Sequence, residues 1–163
     1  MIETTRRDFL AAGGGTIGAA VAGCLESESA DDTAEWDTGE ALSVTTAKQY
    51  QGPGCDCCDV YAGYLEDHLE SDLDAVVTDD LAAVKAEYGI DSSLRSCHTV
   101  EIEGYVVEGH VPVEVIAQLL EEGPAIDGIA LPGMPSGSPG MGGEKTETWT
   151  MYEIASGDVY AER

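Results

Sequence analysis

Three cysteines fall within four residues, Cys55-Asp56-Cys57-Cys58, and a fourth stands about forty residues further on beside a histidine, as Cys97-His98. Thiolate sulfur is a soft ligand for thiophilic ions, and a Cys-x-x-Cys spacing, here Cys55 and Cys58, is also the layout of a reversible dithiol couple. Stapling alone accounts for the cluster poorly, because adjacent or near-adjacent cysteines rarely meet disulfide geometry with each other. It stays open, since four thiols in an oxidising compartment can form two bridges. A Cys55–Cys58 bridge would leave Cys57 and Cys97 as the remaining pair.

Further ligand types lie close by in sequence. His98 follows Cys97, and His110 sits in Gly109-His110-Val111-Pro112 ahead of an apolar helical pattern. Each reads either as a nitrogen ligand or as a structural hydrogen-bonding group. His68 reads as structural, because about three helical turns, roughly 15 Å, separate it from the cysteines. The loop from Leu131 to Met141, rich in Gly, Pro and Ser, carries Met134 and Met141. Their thioethers suit Cu(I) and, being neutral, can serve in oxidising surroundings where thiols are at risk; the competing reading is an apolar lid over the thiols. No acid–base carboxylate pair, nucleophile elbow, phosphate-binding Gly loop or zinc-hydrolase helix stands out.

The elements that must hold these residues follow from periodicity. Thr45 to Gln51 reads as a strand running into Gly52-Pro53-Gly54, and Val60, Tyr61, Tyr64, Leu65 and Leu69 recur at three- and four-residue steps. The spacing predicts an amphipathic helix from Cys57 to about Leu69 whose first turn carries the thiols. There, unpaired backbone N–H groups and the helix dipole favour thiolate over thiol. A strand over 73–78, a helix over 79–88, strands over 98–102 and 105–108, and a helix with Pro112 at its first position and Gly123-Pro124 at its end complete the middle of the chain. Residues 132–143 carry no regular pattern, and 148–154 with 159–161 read as a closing hairpin. This order predicts an α/β fold, a thioredoxin-like sandwich with a C-terminal β-hairpin.

The ends and the charge bear on where the protein works. Residues 1–23 read as a twin-arginine, lipoprotein-type signal: Arg6-Arg7-Asp8-Phe9-Leu10 precedes a short Ala/Gly-rich apolar run, too short to span a bilayer. Val21-Ala22-Gly23-Cys24 ends it, which makes Cys24 the candidate lipidation site and the membrane surface a partner. Residues 24–41 form an acidic, disordered tether with too few apolar groups to offset ordering entropy, and 42–163 a single metal-binding domain. The chain has 32 Asp plus Glu against 7 Lys plus Arg, a net charge of -25. That excludes nucleic acid as a natural partner. Because the acids are dispersed, they read as the solvation style of a halophile rather than as one cation-attracting face.

Four motifs occur in order: Gly54-Cys55-Asp56-Cys57-Cys58, Leu94-Arg95-Ser96-Cys97-His98-Thr99, Gly104 through Pro112, and the loop with two Pro-Gly-Met runs, Pro132 to Met134 and Pro139 to Met141. Together they resemble the family known as domain of unknown function 411, whose bacterial members include the periplasmic copper-resistance protein of the CopG type. The resemblance spans about Thr45 to Ala161. It implies a thioredoxin-like fold and copper binding outside the cytoplasm, with Cys55, Cys57, Cys58, Cys97, His98, His110, Met134 and Met141 as the metal-site candidates. The expected cargo is Cu(I), with Cu(II) or zinc as alternatives, and another copper-handling protein is the expected partner. Thiol–disulfide exchange through Cys55 and Cys58 is the competing function, and a zinc module is the third.

Overall fold

A computed structural model describes residues 41–163. The expected signal segment, the candidate lipidation site Cys24 and the expected tether through residue 40 lie outside the described residues. The elements run β1 (Ala47–Gln51), α1 (Asp56–His68), β2 (Asp74–Val77), α2 (Leu81–Glu87), β3 (His98–Ile102), β4 (Tyr105–Glu108), α3 (Val113–Glu122), β5 (Gly128–Ala130), β6 (Thr150–Glu153) and β7 (Val159–Glu162). They build one seven-stranded sheet in the order β2-β1-β3-β4-β5-β6-β7. β1 and β2 are parallel, β3 runs antiparallel to β1 and β4 antiparallel to β3. This half carries the three helices and is the thioredoxin-like sandwich. The other half is an extension: β5 pairs parallel with β4, and β6 and β7 add an antiparallel hairpin.

Local chemistry explains the boundaries. The β3–β4 hairpin turns through Glu103 and Gly104, both at positive φ (48° and 86°), the backbone that a two-residue turn between twisted strands requires. α2 starts where the Asp80 carboxylate accepts the Ala83 N–H at 3.1 Å. α3 ends at Gly123, whose left-handed backbone lets its N–H reach Leu119 O. Pro112, expected at the first helical position, is instead the N-cap with extended backbone, and the helix opens at Val113. β5 has no counterpart in the sequence reading. It is three residues long, too short for alternation to register, and Gly128 lies against the backbone of Val106, where a Cβ would fall 1.9 Å from the carbonyl oxygen.

The helices pack on two faces. The main core joins Tyr61, Ala62 and Leu65 of α1 and Val115, Ile116 and Leu119 of α3 to Val100, Ile102, Val107, Ile129 and Met151 from the sheet. A smaller cluster of Ile90, Leu94, Val106, Ala130 and Ile154 covers the opposite face. Strand alternation sorts the side chains: Val100 pairs with Val107 on the α1 face, and Thr99 pairs with Glu108 on the α2 face. Among the described residues, no helix is long and apolar enough to cross a membrane.

Candidate metal centre

Three segments meet at the start of α1. Cys55 is its N-cap residue, its carbonyl accepting the N–H groups of Cys58 (3.0 Å) and Asp59 (3.2 Å), and Cys57 and Cys58 occupy the first turn. Cys97 immediately precedes β3, which pairs with β1 so that Gln51 lies opposite His98. Adjacent strands therefore carry two segments forty residues apart to one end of the sheet. The sulfurs of Cys55, Cys57, Cys58 and Cys97 all lie within 4.8 Å of one another. Cys55 and Cys58 form a disulfide, and Cys57 and Cys97 are free thiols. The Cys57 sulfur is 3.6 Å from that of Cys55 and 3.7 Å from that of Cys97.

The histidines extend the cluster inward. The sulfur of Cys97 and one ring nitrogen each from His98 and His110 also fall within 4.8 Å of one another, so Cys97 belongs to both groups. His110 Nδ1 donates to Pro139 O at 2.6 Å, which leaves Nε2 as the lone-pair nitrogen, 3.0 Å from Cys97 Sγ. A protonated Cys97 donates to that lone pair, and an ion can replace the proton. His98 Nδ1 lies 3.3 Å from Cys97 Sγ, while its buried Nε2 has no partner. Both rings are fully buried around Tyr61, 4.5 Å and 5.3 Å between centroids, and Tyr61 is anchored by its hydroxyl on Val111 O.

Burial sets the protonation states. It pushes the Cys97 thiol up to about 11, reinforced by the neighbouring Cys57. Burial drives His98 well below the usual imidazole range, with His110 and Lys85 adding to it, and lowers His110 against the opposing pull of Pro139 O. Two neutral imidazoles thus face a thiol that keeps its proton until something displaces it, which is the pre-metallation state expected of a ligand set.

The loop after β5 closes over this end of the sheet through its backbone. Pro139 O takes the His110 bond, and Gly140, at φ +81°, sits where a Cβ would lie 3.0 Å from Cys57 O and 3.2 Å from His110 Nδ1. Met134 is 39% exposed with positive φ, and Met141 is half-buried. His68 stands apart, its Nδ1 donating to Tyr64 O and its ring against the Tyr64 ring.

Four buried polar residues around the site were not singled out from sequence. Gln49 donates from Nε2 to Cys58 O (2.9 Å) and to Gln51 Oε1 (2.6 Å), tying β1 to the first turn of α1. Lys85 and Glu108 form an ion pair at 2.5 Å, both almost wholly buried. The available signal was alternation: Gln49 and Gln51 share one strand face, and Glu108 falls in phase with the apolar Val106.

A family model described as a protein of unknown function, DUF411, matches residues 94–141, the stretch holding Cys97, His98, His110 and both loop methionines. No curated protein matches the chain. Among solved structures, copper resistance protein CopG in its form 2 is 36% identical with a TM-score of 0.64, over 76% of this chain and 99% of that one. Its form 1 is 35% identical with a TM-score of 0.65, over 76% of this chain and 98% of that one.

Proposed function

This chain belongs to the DUF411 family that includes the copper resistance protein CopG, and from that premise we propose that it handles copper as cargo, holding Cu(I) at the head of α1. Cys55, Cys57, Cys58 and Cys97 supply thiolates, His98 and His110 supply imidazoles, and Met134 and Met141 on the overlying loop cap or relay the ion. The observation that carries this reading is the convergence of four sulfurs from two distant segments within 4.8 Å. Such sulfur-rich surroundings favour Cu(I) over hard cations. The Cys55–Cys58 bridge must first take up two electrons and two protons from a thiol reductant, so loading belongs to the reduced protein. The protein works on the outer face of the cytoplasmic membrane, held there by lipid on Cys24, and passes its ion to another copper-handling protein.

Metal analysis of the reduced domain after anaerobic Cu(I) loading tests this. Copper retained in near-integral ratio, and lost on Cys55→Ser or Cys58→Ser, is the expected result; zinc alone, or no metal, sinks it. The disulfide between Cys55 and Cys58 favours a second reading, a thiol–disulfide oxidoreductase. Rapid insulin reduction by metal-free protein would select that reading instead.

A further inference from the structure

A buried charge pair lies under the ligand-bearing end of β3 and reaches it from the opposite face of the sheet. Lys85 extends from α2, and its Nζ donates to Glu108 Oε1 (2.5 Å), Thr99 Oγ1 (3.0 Å) and His98 O (3.2 Å). Glu108 in turn accepts the Ser96 N–H and, at 2.6 Å, the Thr99 hydroxyl. Lys85 is 4% exposed and Glu108 fully buried. The bonds therefore grip the backbone at Ser96 on one side of Cys97 and at His98 on the other.

Energetics argue against stability as the sole role of this pair. Removing two charges from water costs several kcal/mol per ion, and a well-packed apolar pair in such a place is often as stable or more so. What an apolar pair could not do is hold one N–H and one carbonyl on either side of a single cysteine. Building Cys97 on a loop entering a strand leaves its position to whatever fixes residues 96 and 98, because loop backbone is the least constrained part of a fold. Thiolate ligation to a small ion demands placement to within a few tenths of an ångström.

We propose that Lys85 and Glu108 are positioning residues for the Cys97–His98 ligand pair: their ion pair, acting through the sheet, sets where the Cys97 sulfur meets the α1 thiols and His110. The proposal rests on the copper reading of the same site. Neither residue touches the ion; both act through Ser96, His98 and Thr99.

The double variant Lys85→Met/Glu108→Gln tests it, since it removes both charges together while the glutamine oxygen can still accept from Ser96. Folding is followed by circular dichroism and thermal unfolding, Cu(I) affinity by chelator competition, and ligation by X-ray absorption at the copper edge. The folded double variant should bind Cu(I) about 10–100-fold more weakly, the range for groups that orient metal ligands, with fewer sulfur neighbours around copper. A purely structural pair would shift the unfolding midpoint and leave affinity and ligation at parent values, which overturns the proposal. Should the double variant not fold, Glu108→Gln alone removes the ion pair while keeping an acceptor for Ser96, and the same comparison decides. If the parent itself retains no copper, the copper reading fails on its own. Alkylation of Cys97 in metal-free protein then judges the clamp: a several-fold faster rate in the variant supports it, and an unchanged rate overturns it.

Discussion

Cys97 is the residue on which both ligand groups depend, and its chemistry has a pH signature. Its thiol ordinarily titrates near 9 and is pushed up to about 11 in the folded protein. Between those values the folded state keeps a proton that the unfolded state has released, so stability falls as pH rises through this window. His98 has the opposite fault line: its imidazole is held well below its ordinary 6.5, and acid favours the unfolded chain, which takes up the proton first. Thermal midpoints of the metal-free domain with its Cys55–Cys58 disulfide intact should therefore form a plateau around neutrality and decline on both sides; a midpoint still rising beyond pH 9 contradicts the assignment for Cys97. On the proposed ligation copper displaces the Cys97 proton, so apparent affinity should climb with pH below about 11. Chemistry at this scale was legible in the sequence because residue type alone announces a soft ligand. The partners were not legible: nothing in Gly109-His110-Val111 says that Pro139, twenty-nine residues on, fixes the His110 tautomer.

At the scale of elements, the loop between β5 and β6 is a structural member of the site. Gly140 combines φ +81° with backbone neighbours, Cys57 O and Tyr61 N, at near-contact distance from any added Cβ. Left-handed backbone in a residue with a side chain costs about 1–3 kcal/mol, and here the methyl also pushes the loop away from α1. Gly140→Ala should lower the thermal midpoint and weaken copper binding together by breaking the Pro139–His110 bond; a variant with parental copper affinity would show that the loop is dispensable to the site. The Gly- and Pro-rich composition marked this stretch as irregular. Its destination was invisible, because a loop without periodicity carries no statement about which surface it covers. Helices α1 and α3 were readable for the converse reason, their buried residues recurring every three or four positions.

For the molecule as a whole, the dominant physical fact is a net charge of -25 over 163 residues. Repulsion among dispersed carboxylates opposes the compact state, and salt relieves it as the screening length shrinks from about 10 Å at 0.1 M to about 3 Å at 1 M. Raising KCl from 0.1 M to 2 M should increase the thermal midpoint of the metal-free domain by several degrees. A midpoint that stays flat or falls would remove the halophile reading of the composition. The buried Lys85–Glu108 pair should be nearly indifferent to the same titration, since screening acts weakly on charges that water does not reach.

What the sequence determined unaided was the inventory: the soft side chains able to bind a metal, the helix at whose start three of them lie, the hairpin that follows Cys97-His98, and the thioredoxin-like order of elements. These are local properties, set by side-chain chemistry and by periods of two and 3.6 residues. Tertiary structure alone decided the rest: that β1 and β3 are neighbours and so deliver Cys97 to α1, that a three-residue strand extends the sheet beyond β4, and that Lys85 and Glu108 meet beneath His98. Each is a contact between segments far apart in the chain. Such contacts are chosen by how the whole core packs, and no local pattern encodes them.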